Sequence, residues 1–251
     1  MYFIALNSIL KKEIKRFSRI WIQTLAPPTI TMTLYFIIFG NFIGLQIKSI
    51  NGYSYIQFIV PGLIMMTTIT NAYMNVSSSF FSAKFQKSIE EILVAPIPIH
   101  IIIIGYVGGG VIRAFIVSIL VICISLLFTS IKLYSGLLMV LLLLLTSVLF
   151  SLLGLFNAIL AKNFDDISIV PTFVLTPLIY LGGVFYSLNL LPNFWKYISF
   201  INPILYIVNS FRYSVLGYSE VSVWIAIFIL IFFIFVFYFL CWKHFKNISF
   251  I

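Results

Sequence analysis

Long apolar runs alternate with short clusters of cations along the chain. The runs cover residues 20–47, 49–83, 114–131, 133–161, 167–195 and 221–242, and none contains Asp, Glu, Lys or Arg. A helix rises about 1.5 Å per residue, so about 20 residues cross a hydrocarbon core of about 30 Å. The pattern predicts an all-α integral membrane protein with six transmembrane helices, forming one transmembrane domain over residues 1–251. A rival with a seventh span over 92–112 is rejected. Pro96 and Pro98 would interrupt that helix, the run after them is too short to cross, and a turn at Arg113 would have no loop residues. One long third helix starting near His100 is preferred, with Arg113 in its inner third, snorkelling or paired.

The segments between the runs have their own patterns. Phe3, Leu6, Leu10, Ile14, Phe17 and Trp21 recur at steps of three and four, which puts them on one helix face. Lys11, Lys12, Lys15, Arg16 and Arg19 accompany them. An amphipathic interfacial helix over about residues 1–19 is expected. Residues 84–100 read KFQKSIEEILVAPIPIH. Ile89, Ile92 and Leu93 form a small apolar face beside Glu90 and Glu91, bounded by prolines. A short helix that docks a soluble partner is preferred to a solvated loop. Residues 188–220 contain Pro192, Asn202 and Pro203 among many aromatics. Such a stretch is too apolar for a wet loop and reads as a re-entrant or interfacial hairpin.

Composition agrees with the pattern. The 251 residues are 62% hydrophobic and only 8% charged, against about 25% charged in soluble domains. The net charge of +9 is placed at the ends of apolar runs, where headgroups lie, which argues against nucleic-acid binding. With six spans and the N-terminus inside, ten Lys/Arg fall in cytoplasmic segments and four in outer loops, namely Lys48, Lys132, Lys196 and Arg212. That bias puts both termini in the cytoplasm.

Candidate chemistry is sparse. No Gly-x-x-x-x-Gly-Lys-Ser/Thr phosphate loop is present, and Gly105, Gly108, Gly109 and Gly110 are expected to serve close helix packing. Cys123, Cys241, His100 and His244 are isolated, and neither a catalytic group nor a metal site is expected. Arg113 is the one ionisable group expected inside the membrane. In the second span Thr67, Asn71, Asn75, Ser78 and Ser82 share a helix face. They line a substrate path or make interhelical hydrogen bonds, and both readings stay open. The fifth span carries Pro171, Pro177, Gly182 and Gly183, which make either a hinge for alternating access or a static kink. Asp165 and Asp166 precede it as N-caps.

Residues 175–212 resemble the signature of the ABC-2 type permease family, the membrane subunits of bacterial ABC exporters. The matching positions are Leu175, Leu178, Leu181, Gly182 and Val184, followed by Leu191, Pro192, Pro203, Ile204, Tyr206 and Arg212. The stretch KSIEEILVAPIP resembles the segment after the second span in these permeases, and the similarity runs over the whole chain. It is closest to short bacterial permeases without a fused nucleotide-binding domain.

The resemblance implies a homodimer of the permease joined to two copies of a separate ABC ATP-binding subunit. ATP and magnesium would bind that subunit, and this chain would hold no cofactor and catalyse nothing. It makes residues 84–98 a coupling helix, with Lys87, Glu90, Glu91, Leu93 and Pro96 toward the ATPase. It makes residues 188–212 an outer re-entrant hairpin. Spans two and five would face the partner copy across a path in the inner or plasma membrane. A self-sufficient secondary transporter or channel is the alternative, but neither repeats nor a set of midplane charges favours it.

Overall fold

The computed structural model describes residues 2–44, 46–47, 49–50, 52–130 and 133–248. Lys48 and Lys132, two of the four cations assigned to outer loops, lie outside the described residues. The described residues are helical throughout apart from turns and one isolated bridge between Ile50 and Tyr53.

Helix α1 covers Tyr2–Arg19 and α2 Trp21–Ile37, the latter running on as a π-helix over Ile38–Ile43. Helix α3 covers Tyr55–Phe85, α4 Ser88–Val94, α5 Ile99–Phe128 and α6 Gly136–Leu160. A broken run follows: α7 over Phe164–Ile169, a π-helix over Val170–Leu175, and α8 over Thr176–Tyr180. Then come a 3-10 turn at Leu188–Leu190, α9 over Asn193–Ile201, α10 over Pro203–Leu216 and α11 over Val223–Ile248.

Among the described residues, five helices are long and apolar enough to cross a membrane: Trp21–Gly40, Tyr55–Phe85, Ile99–Phe128, Gly136–Leu160 and Val223–Lys246. They match the first, second, third, fourth and sixth expected spans. The third is one helix of 30 residues starting after Pro98, as preferred over the seven-span rival. The expected fifth span, residues 167–195, is not one helix. Its helical run ends at Tyr180, and the chain turns at Gly183, whose φ of 71° suits glycine.

Helix α3 is the most enclosed of these long helices. Its start is fixed by a reciprocal cap, in which Ser54 Oγ accepts from Gln57 N and Gln57 Oε1 accepts from Ser54 N. Gly154 of α6 lets that helix touch the α3 backbone, since a β-carbon there would lie 2.5 Å from the Tyr73 carbonyl. At the other end of α3, Lys84 Nζ donates to the Ile159 and Ala161 carbonyls at 2.7 Å. These carbonyls end α6, so a cation there satisfies orphaned acceptors. The core has two ends. One gathers Phe36, Phe58, Leu63, Ile207 and Phe211 around the first half of α3. The other gathers Ile9, Phe80, Ile89, Tyr106 and Phe245, where α1 and α4 meet the base of α5.

Helix α1 is docked more firmly than an interfacial helix needs. Its buried positions are Ile9, Glu13 and Phe17, whereas Phe3, at the head of the expected apolar face, is 77% exposed. The docking face is set by α5. A β-carbon on Gly105 would lie 2.6 Å from Ile9, and one on Gly109 2.6 Å from Glu13. The glycines serve close packing, as their spacing implied.

Candidate functional site

Two features stand out: a buried cluster of charges at the base of α3, and a short helix that projects from the bundle.

The cluster joins α1, α2, α3 and α5. Glu13 is fully buried, and its Oε1 accepts from Ser79 Oγ at 2.6 Å. Arg16 Nη2 donates to Asn75 Oδ1 at 2.8 Å and to the Asn75 carbonyl at 3.1 Å, and lies 3.4 Å from Glu13 Oε2. Arg113 Nη2 reaches Asn71 Oδ1 at 3.2 Å and the Thr24 carbonyl at 3.3 Å, and its Nη1 reaches Asn75 Oδ1 at 3.4 Å. Arg113 is therefore paired rather than snorkelling, and its partners are two asparagines of the second span. Of the two guanidinium groups, Arg16 alone reaches the Glu13 carboxylate. Asn75 stands between them as a neutral acceptor for both.

This arrangement decides where the polar stripe of α3 points. Thr67, Asn71 and Asn75 are buried. The Thr67 hydroxyl bonds back to the Leu63 and Ile64 carbonyls, and the asparagines hold arginines. Ser78 is exposed. The open line of α3 runs one residue earlier, through Met66, Thr70, Met74 and Ser78 at steps of four, with Met74 49% exposed. Of the fifth-span residues, Pro177 is exposed, Gly182 is buried against Ile204, and Gly183 makes the turn.

The signature residues sit around that turn. Arg212, counted among the outer-loop cations, is fully buried in α10. It donates to the Gly183 carbonyl at 2.7 Å, to Asn209 Oδ1 at 3.1 Å and to the Phe58 carbonyl at 3.2 Å, with its guanidinium 3.9 Å from the Phe58 ring centre. Pro192 is the N-cap of α9 and Pro203 the first residue of α10, where proline at a helix start loses no hydrogen bond. Leu191 is half-buried ahead of α9, and the Tyr206 hydroxyl donates to the Phe200 carbonyl.

The projecting helix is α4. Lys87 precedes it with a left-handed φ of 59°, a turn that swings α4 away from α3. Ile89 is buried in the bundle, with Ile92 and Leu93 packed beside it. The small apolar face thus anchors the helix to its own chain, and Leu93 belongs to the anchor. The face left outward holds Lys87, Glu90, Glu91, Pro96 and Val94, the last 85% exposed. The burial of Glu13 and the exposure of Val94 were not foreseen. Both follow from helix register: Glu13 lies four residues after Ile9 and four before Phe17, and Val94 is opposite Ile89.

Comparison with known proteins adds the identity of the fold. The model of the ABC-2 type transporter family matches residues 5–216. The chain is 62% identical over 243 residues to the inner membrane transport permease YadH of Escherichia coli, covering 97% of this chain and 95% of that protein. It is 25% identical over 194 residues to nodulation protein J of Rhizobium meliloti, covering 76% and 73% of the two. The chain therefore belongs to the ABC-2 type transporter family, as a multi-pass membrane permease.

Proposed function

We propose that two copies of this chain form the membrane half of an ATP-driven exporter, and that α4 is the handle by which a separate ABC ATP-binding subunit moves it. Family membership supports an ATP-binding partner, and the name of the Escherichia coli relative supports transport across the inner membrane. The observation that carries the reading is α4 itself. It is anchored through Ile89, sits between the two longest helices and turns Glu90, Glu91 and Val94 outward.

In this reading, both termini and α4 lie on the cytoplasmic side, as the cation bias suggests. ATP and magnesium bind the partner subunit. Closure of the partner pushes α4, and the push must favour one conformation of the bundle over the other. The open line Met66–Thr70–Met74–Ser78 faces the second copy across the path, with the broken run from Phe164 to Tyr180 beside it. At 17 helical residues that run is about 25 Å long, close to a sixth crossing. Helices α9 and α10 then form the re-entrant hairpin on the outer side.

The test is Glu90→Lys with Glu91→Lys. The doubly charge-reversed chain should lose co-purification with the ATP-binding subunit that accompanies the wild type, and ATP-dependent transport should fall with it. Unchanged association with unchanged transport would sink the proposal.

A further inference from the structure

A groove runs along the outer side of α1. Lys12, Lys15, Arg16, Arg19 and Ile20 line a cavity of about 420 Å3. Four of the five are cations and none is an acid. Like charges three and four residues apart on a helix repel one another, so the groove is disfavoured until an anion fills it.

The buried cluster that Arg16 joins is also short of acceptors. Arg16 Nη2 is committed to Asn75 and Glu13, but its Nε is buried without a partner, as are Asn75 Nδ2 and Arg113 Nε. All three atoms are donors. Glu13, the carboxylate of the cluster, is already shared between Ser79 and Arg16.

Depth points to the same partner. With the Ser54 end of α3 and the Thr129 end of α5 set at one interface, about 20 residues span the hydrocarbon. The far boundary then falls near Asn75 and Gly109. Glu13 packs against Gly109, so α1 lies at headgroup level. Exposed Phe3 and Ile4 of α1, with Trp21 and Ile22 at the start of α2, then have acyl chains to face.

We propose that this groove binds a phosphate group carried by the headgroup of an anionic lipid. Arg16 and Arg19 supply planar donor pairs, and Lys12 and Lys15 supply point charges. Because Arg16 also holds Asn75 and Glu13, an occupied groove clamps α1 against α3.

The experiment is native mass spectrometry of the full-length chain, purified with phosphatidylglycerol or with phosphatidylcholine. The wild type should retain phosphatidylglycerol about tenfold better, as several cations beside one anionic headgroup predict. The variant K12Q/K15Q/R19Q changes exposed side chains only, so it should fold, and it should retain the two lipids equally. The control K87Q/K243Q removes cations outside the groove and should behave as the wild type. Retention that survives millimolar inorganic phosphate assigns the site to a headgroup, and displacement assigns it to a soluble phosphate compound. Full phosphatidylglycerol retention by the triple variant, or an equal loss in the control, would overturn the proposal.

Discussion

Ser79 of α3 donates to Glu13 of α1 at 2.6 Å, and both side chains are buried. Through this bond an acid in the most basic stretch of the chain becomes the tie between the first helix and the central one. Removing the carboxylate leaves Arg16 and Arg113 to share neutral acceptors. Glu13→Ala should destabilise the protein by about 3 kcal/mol, the low end for a broken buried pair because Arg16 is 29% exposed. Ser79→Ala should cost about 1.5 kcal/mol, the low end for a hydrogen bond to a charged group. Thermal unfolding in detergent measures both, and equal midpoints for the two variants would contradict this ranking.

The glycine face of α5 should be as sensitive as the charges it admits. A β-carbon on Gly109 would lie 2.6 Å from Glu13 Cβ, and one on Gly105 2.6 Å from Ile9. Replacing both by leucine should lift α1 away from α5 while leaving the spans in place. Protease cleavage within residues 2–19 of the variant, with the remainder intact, is the expected result.

Arg212 should not tolerate lysine. Its guanidinium reaches two backbone carbonyls and Asn209 at once, and a single ammonium cannot copy that fork. Arg212→Lys should cost about 2 kcal/mol through charged hydrogen bonds left unmade. The Gly183 turn should also loosen, which hydrogen exchange at residues 183–188 would report as lost protection.

If the open line of α3 faces a second copy, cysteines placed on it should find each other. Met74→Cys in a background without Cys123 and Cys241 should form a disulfide-linked dimer on mild oxidation. Asn71→Cys, one stripe away and buried, should not. A dimer from Asn71→Cys alone would reverse the assignment of the two stripes.

Acid should loosen the start of the broken run. Asp166 accepts from Lys162 N at 2.8 Å and Asn163 N at 3.1 Å, and these bonds hold its pKa below the usual carboxylate value. A depressed folded pKa adds stability above the unfolded value of about 3.9, and that stability is lost as pH falls through the folded one. Asp166→Asn should reproduce near neutral pH the loss of amide protection at Asn163, relative to the intrinsic exchange rate, that the wild type shows only in acid.

Hydropathy made the five long spans readable, because lipid demands uncharged length and little else. It was blind where burial depends on register. Glu13 is one acid among five cations, and nothing local separates it from a solvated residue. Only the glycines of α5, at matching steps, hinted that something packs closely there. The polar stripe of α3 left two readings open for a related reason. Asparagine in a bilayer is best hidden against another helix, so Asn71 and Asn75 turn inward to arginines and leave methionine and threonine on the open side. The fifth span is uncharged from end to end, yet Pro171 and Pro177 fall six residues apart within it and Gly183 ends it.

Helices α3 and α5 have 31 and 30 residues, or about 45 Å each. A hydrocarbon slab of about 30 Å leaves roughly a third of each rod uncovered. With the Ser54 end of α3 set at one membrane face, as proposed above, the joint between them, with Val94 at its tip, stands clear of the lipid. The proposed partner would then need no contact with the bilayer to reach that tip.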